Sequence, residues 1–456
     1  MAGEVFAVSG PMLVVILVVA ILAMVLLVSK LKLHPFVALF AVALFMGLAV
    51  GMPPSAVLDT ILNGFGSTCR GIGVVILLGT IIGAMLEHSG AAFTMADSVL
   101  RVVGEKRPAI AMSIIGWIVS IPVFCDSGFV ILSSLNRSLS RRSGVSLATM
   151  AIALSTGLFA SHNLVPPTPG PIAAAARLGA DLGLVIMWGI VASIPAILAG
   201  YLYALAVGPK LAADAGAGET YEELRAKFGA LPSPARSFAP IVVPLILIGV
   251  SSVVNYPSVL ESVGKGSMLH STASFLGSPV IALSIGAVLC FFLPPKITEE
   301  VTSDWIGRGV REGANIIMIT AAGGSLGAII AASKVGDYIG ASLAAYDFGI
   351  FLPFVIAAAL KTAQGSSTVA LITTSTIIAP MLASLELGSP MGAVLATLAV
   401  GCGSMIVSHA NDSYFWVVTQ FSGMELGTAY KAQTAATLVE GVAGICGVWA
   451  IALCVL

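Results

Sequence analysis

Long apolar runs, separated by short polar stretches, dominate the chain. Runs of about 17–22 apolar residues have the length a helix needs to cross the hydrocarbon core of a bilayer. They predict spans near 11–29, 34–52, 71–89, 183–206, 237–254, 279–293, 314–332 and 432–455. Four further apolar segments are interrupted from within. Segments 109–140 and 350–384 carry a polar centre, FCDSGFVIL in the first and KTAQGSSTVAL in the second. Segments 146–179 and 390–421 are broken by SHNLVPPTPGP and SHANDSYFW. Residues 91–104 and 299–313 read as amphipathic interfacial helices, and 208–236 is the one long polar linker. Backbone groups left unpaired in lipid have no water to bond, so such breaks are costly. A matched set in two halves of one chain points to a transporter binding site.

Composition agrees with that pattern. Of 456 residues, 58% are hydrophobic and 9% charged, where soluble domains carry about 25% charged. The expected class is therefore an all-α polytopic membrane protein. A net charge of −1 gives no electrostatic reason to bind nucleic acid. The six cysteines (69, 125, 290, 402, 446, 454) form no CxxC or metal-ligand spacing and read as reduced thiols, so no metal or other cofactor is expected. No Walker sequence, nucleophile elbow or HExxH occurs, which argues against ATP-driven transport and against an enzyme. The run 11–29 lacks a basic leader and a small-residue cleavage site, so it is expected to be a span rather than a signal peptide.

Basic residues orient the spans. Arg101, Lys106 and Arg107 precede segment 109–140, and Arg137, Arg141 and Arg142 end it. A single crossing would put these clusters on opposite sides, whereas a re-entrant hairpin puts both inside. Lys30, Lys32, Lys210, Arg225, Lys227, Arg236, Lys296, Arg308, Arg311 and Lys431 then also fall inside. Of 21 Lys and Arg, removing Arg70, Lys265 and Lys334 (outer loops) and Arg177 and Lys361 (membrane depth) leaves 16 in the cytoplasm. The second hairpin, 350–384, opens outward. The prediction is ten spans plus two hairpins, as two inverted repeats of five spans and one hairpin each: residues 1–207 and 237–456, joined by the cytoplasmic linker 208–236. Both termini are then periplasmic. GTIIGAML (79–86) and GGSLGAII (323–330) echo each other in register with this pairing. Inverted repeats imply a site near the midplane and alternating access.

The polar breaks supply the candidate chemistry. An ionised Asp at helix centre costs about 2.5–3.5 kcal/mol, so Asp126 must be paired, protonated or facing a cavity. It is a candidate proton carrier, or a cap for a helix starting at Gly128. Ser127 and Gly128 complete that tip. In the first break, Pro166, Pro167 and Pro169 stop the helix, which is expected to restart at Pro171. Its free N–H groups suit an anion. Ser161, Asn163 and Thr168 can bond substrate hydroxyls, and His162 is either a proton relay or a satisfied interhelical donor. Arg177 either meets a carboxylate or snorkels to the interface, the second being preferred. The second tip offers Lys361 as counter-ion for substrate, Asp126 or Asp412, with Gln364, Gly365, Ser366 and Ser367 beside it. The second break offers Ser408, His409 and Asn411, and Asp412 as either a second proton carrier or a cap. Such a lining suits a small hydroxylated anion.

These four strings resemble the gluconate permease family, the gluconate:proton symporters of the ion transporter superfamily, over nearly the whole chain. The resemblance implies a bacterial inner-membrane symporter of sugar acids or related hydroxy-carboxylates. It further implies a homodimer with a scaffold and an elevator-type transport domain that contains both hairpins. The chain has FCDSGF where the family pattern is FFEVGF, with Asp126 in the Glu position. Ser161, Asn163 and Thr168 depart from the family's THGFLPPHPGP, and Lys361 stands where Arg is common. Acid and base are kept in kind, and the substrate stays open among gluconate, glycerate and other hydroxy acids. The coupling ion is expected to be a proton, with sodium the alternative.

Overall fold

The computed structural model describes residues 8–104, 107–214, 223, 226, 228–255, 257–335, 338 and 349–455. Lys106, Arg225 and Lys227, three of the basic residues used for orientation, lie outside them. Every regular element among the described residues is helical.

The first half begins with α1 (Gly10–Ser29), α2 (Pro35–Ala49) and α3 (Pro54–His88). The last is 35 residues long, so the expected span 71–89 is only its second half. The polar stretch before it stays helical, and Arg70 therefore sits on a helix and not in an outer loop. After α4 (Ala91–Val103) come α5 (Pro108–Val119) and α6 (Cys125–Ser143), which meet at 120–124. Next are α7 (Leu147–Leu164), α8 (Pro169–Leu178) and α9 (Leu182–Val207). The restart of the broken segment is at Pro169, not Pro171, because proline at the first helical position lacks only an N–H that has no partner there.

In the second half, α10 spans Pro234–Val254 and carries Pro240 and Pro244 inside it. The expected outer loop around Lys265 contains two short helices, α11 (Pro257–Val263) and α12 (Met268–Leu276). The axis then bends by 60° into α13 (Pro279–Cys290). Residues 299–313 do not form a separate interfacial helix. A π-helical stretch at Glu300–Trp305 runs on into α14 (Ile306–Ala332). Then follow α15 (Phe351–Gln364) and α16 (Ser367–Ile378), separated only by Gly365 and Ser366, and α17 (Pro390–Met405) and α18 (Ser413–Phe421). Short turns at Leu426–Ala429 and Tyr430–Thr434 lead into α19 (Ala435–Val455).

Seven helical segments among the described residues are long and apolar enough to cross a membrane, or eight if α12 and α13 count as one bent span. Their outer surfaces remain apolar. Met12, Val15 and Leu22 on α1, Ile194, Leu198 and Leu202 on α9, and Leu438, Val442 and Trp449 on α19 are all exposed. In water this would be a liability, and against lipid tails it is the expected surface. By contrast, residues 148–164 of α7 are buried throughout, so the first break lies at the centre of the protein.

Packing partners recur between the halves. Helix α5 lies on α7 as α15 lies on α17, and α6 lies on α18 as α16 lies on α8. The long helices α3 and α14 pack on each other along their length. There Gly64 faces Gly324, where a Cβ on Gly64 would stand 2.6 Å from the Gly324 carbonyl oxygen. Small residues of this kind let membrane helices approach closely.

Candidate functional site

Four chain breaks meet in the core, and each has a local cause. Helix α7 ends at Leu164 because Pro166 and Pro167 cannot donate to its last carbonyls. The Thr168 hydroxyl caps them instead, donating to the carbonyls of His162 and Val165, both at 2.9 Å. Between α15 and α16, Gly365 turns the chain at φ +93, and a Cβ there would stand 2.1 Å from the Asn411 carbonyl oxygen. The amide of Asn411 and the ring of His409 both bond the Thr362 carbonyl, at 2.9 and 2.8 Å. The second tip and the second break are thereby locked together. Val407 sits at φ +55, a strained conformation for a β-branched residue. The Ser408 N–H donates to Thr437 Oγ1 at 3.0 Å, and Thr434 Oγ1 donates to the Ser408 carbonyl at 2.5 Å, which ties the break to the start of α19.

Lys361 and Asp412 form the ionic centre. Lys361 is fully buried, its Nζ is 2.6 Å from Asp412 Oδ2, and it also donates to the Gly365 carbonyl. The Ser408 hydroxyl donates to the same Asp412 oxygen at 2.5 Å, and the Tyr414 N–H donates to Oδ1 at 3.1 Å. Asp412 is thus both the N-cap of α18 and the counter-ion of Lys361, accepting three hydrogen bonds in all. The Lys361 ammonium lies 5.7 Å from the centroid of Phe159, within cation–π range. Phe159 stacks on Tyr414 at 5.1 Å, and the Tyr414 hydroxyl donates to the Ser155 carbonyl at 2.9 Å.

Asp126 is placed differently. Helix α6 starts at Cys125 and not at Gly128, so Asp126 lies in its first turn and is not its cap. The Cys125 thiol donates to its Oδ2 at 3.8 Å, Asp412 and Lys361 are within electrostatic reach, and Oδ1 has no partner. His162 is buried between Phe124, at 5.8 Å, and Phe159, at 6.5 Å, with Nδ1 unpartnered.

Several predicted residues serve the framework. Gly128 packs under Leu158, Ser161 bonds back to the Leu158 carbonyl at 3.4 Å, and Thr168 is occupied as a cap. Ser366 caps α16 through the Val369 N–H at 3.3 Å. Ser367 is buried in the first turn of α16, and Ser127 is half-buried in the first turn of α6. Open hydrogen-bonding capacity remains at Asn163 Oδ1, Asn411 Oδ1 and both amide atoms of Gln364. Ser404, Gln433 and Glu440, outside the expected site, are each buried with side-chain polar atoms lacking partners. Glu440 was legible as the one acid inside the predicted span 432–455, and Ser404 carried no distinguishing signal. Arg177 does not simply snorkel. It donates to Thr68 Oγ1 at 2.6 Å. Among the described residues, no group of three or more His, Cys, Asp or Glu is placed to hold a metal ion.

The all-helical polytopic fold has a solved counterpart. The crystal structure of the YdaH transporter of Alcanivorax borkumensis superposes with a TM-score of 0.66 at 15% identity, covering 92% of this chain and 99% of that one. The family follows from sequence. The profile of the GntP family permeases matches residues 12–454, and the chain belongs to that family. A gluconate permease of Pseudomonas aeruginosa is 33% identical over 94% of each chain. The D-serine transporter DsdX of Escherichia coli K12 is 31% identical over 94% of this chain and 96% of its own. The protein is a multi-pass membrane permease and not an enzyme.

Proposed function

We propose that the protein is a secondary transporter that carries a small hydroxylated carboxylate together with a proton across a bacterial cytoplasmic membrane. Relatives named for gluconate and for D-serine support the ligand class, since both molecules join a carboxylate to one or more hydroxyls. One observation carries the coupling: Asp126 keeps an unpartnered carboxyl oxygen within electrostatic reach of the Lys361–Asp412 pair. With Asp126 ionised, the cluster holds two negative charges against one positive, and an incoming carboxylate is repelled. A proton on Asp126 makes the cluster neutral and removes that repulsion. Proton and anion then bind in mutual support, which is a coupling free energy shared by both ligands. Gln364, Asn163 and Asn411 hold the free donors and acceptors for the hydroxyls.

The recurring packing supports two repeats, which the basic residues orient as inverted, with ten spans and two hairpins opening to opposite sides. Motion of the hairpins and broken helices against α3 and α14 would give elevator-type access within a homodimer. Unpartnered side-chain oxygens on Asn163, Ser404 and Asn411 favour a second reading, in which sodium is the coupling ion.

Purified protein in liposomes tests both readings. An inward proton gradient without sodium is expected to drive gluconate uptake. An absolute sodium requirement rejects proton coupling. Asp126→Asn is expected to abolish gradient-driven uptake while leaving gluconate exchange in place. Wild-type driven uptake by that variant removes Asp126 from the mechanism.

A further inference from the structure

We propose that the crevice between α3 and α8 is a second carboxylate-binding subsite, built on Arg177 and separate from the Lys361 centre. The inference deepens the transport reading above and rests on it for the ligand class. Arg177 lies in the last turn of α8, where its guanidinium reaches across to Thr68 on α3. Thr68 is oriented for this contact, because its own hydroxyl hydrogen is donated to the Gly64 carbonyl at 2.8 Å. Gly324 on α14 leaves room for the guanidinium, since a Cβ there would stand 2.5 Å from one of its nitrogens.

A guanidinium has five N–H donors. Arg177 uses one of its nitrogens on Thr68, and among the described residues no carboxylate stands within ion-pair distance of it. Arg177 is half-buried, so an arriving anion would give its free donors a charge-assisted partner. Space for one is present. A cavity of about 200 Å³ is walled by Arg177, Thr68, Ser67 and Ala173. It adjoins a wider opening of about 700 Å³ lined by Asn63, Ser67 and the exposed Arg70. Ser67 and Gly71 belong to both walls, and neither wall contains an Asp or Glu. Two guanidinium groups, two hydroxyls and an amide therefore face a passage free of acids. Arg binds a carboxylate through two parallel hydrogen bonds, the Asn63 amide can donate or accept, and the Ser67 and Thr68 oxygens, whose hydrogens go to the Gly64 carbonyl, can accept from a substrate hydroxyl.

The position gives the subsite a use. Arg177 is eight residues after Pro169 (177 − 169), about 12 Å along α8 from the first break at 1.5 Å per residue. An anion held there waits close to the central site on the helix that leaves it. A phospholipid headgroup carries the same anionic chemistry, so the test must separate the two sources.

Ser67→Cys places a thiol in the shared wall, and its alkylation rate in the purified protein reports occupancy. The probe is gluconate in neutral detergent, compared with sodium chloride at equal ionic strength. Gluconate is expected to slow alkylation. In the Arg177→Gln background the protecting concentration should rise about tenfold to a hundredfold, the worth of a charge-assisted hydrogen bond. Arg177→Lys should protect at an intermediate concentration, which guards against misfolding of the glutamine variant. No protection by gluconate, or equal protection with and without Arg177, overturns the proposal. Protection by added anionic phospholipid but not by gluconate also overturns it, in favour of a lipid site. Protection that depends on Arg177 in a protein showing no uptake into liposomes would keep the subsite and reject the transport reading.

Discussion

Lys361 and Asp412 depend on each other, because each charge is out of water and each is the other's counter-ion. Removing one partner of such a pair typically costs about 3–5 kcal/mol, whereas replacing both with groups of similar volume is close to neutral. Lys361→Met should therefore lower the melting temperature in detergent sharply. The double variant Lys361→Met/Asp412→Asn should recover most of that loss while remaining inactive in uptake. A single variant as stable as the double would mean that the pair is solvated, contrary to its burial. The same logic explains what the sequence showed of this site. Lys361 stood out as a lone lysine at membrane depth, and Asp126 and Asp412 as acids in apolar surroundings. Which acid it would pair with was not legible, because Asp126 and Asp412 come from helices of different halves. The roles of Gly128, Ser161 and Thr168 were also hidden. A hydroxyl that caps a carbonyl and one that awaits a ligand look alike in sequence. Glu440 was visible as an acid in an apolar run, yet only the packing shows both its oxygens without partners.

Some helix boundaries were legible from proline and from apolar length. Pro35, Pro108, Pro279 and Pro390 open α2, α5, α13 and α17 within a residue of the expected bounds, and apolar length gave α1 and α9 equally closely, whereas Pro54 and Pro169 open α3 and α8 earlier than expected. The sequence failed where polar residues continue a helix, as in the first half of α3 and the π-helical entry to α14. Hydropathy marks what is in lipid, and a helix that projects from lipid keeps its hydrogen bonds with a polar surface. Length also constrains the interrupted segments. At 12 and 14 residues, α5 and α15 measure about 18 and 21 Å at 1.5 Å per residue, short of the roughly 30 Å hydrocarbon core. The tip between α15 and α16 then depends on Gly365. Gly365→Ala adds a left-handed penalty of about 1–3 kcal/mol and a clash with Asn411. Gly144→Ala carries a similar φ, +73, but its Cβ would meet nothing within 4 Å. Gly365→Ala should therefore lose more melting temperature and more uptake than Gly144→Ala. Equal losses would show that the contact between the second tip and the second break carries no weight.

For the whole molecule, the proposed alternation of access needs the two hairpins to open on opposite faces, and that requires the halves to be inverted. The matched packing of α5 on α7 and α15 on α17 fits such a relation, and so does the exchange in which α6 lies on α18 and α16 on α8. A direct test compares two exposed positions, Ser143 after the first hairpin and Gly388 after the second. Cysteines introduced there would be exposed to a membrane-impermeant maleimide, with labelling read peptide by peptide by mass so that the native cysteines do not interfere. In intact cells, Gly388→Cys should be labelled and Ser143→Cys protected. In inverted vesicles the pattern should reverse. Labelling of both positions from one side would place both hairpins on the same face. The basic residues could not then be gathered on one side as the sequence indicates, and a site shared between the hairpins would lose its route to the opposite compartment.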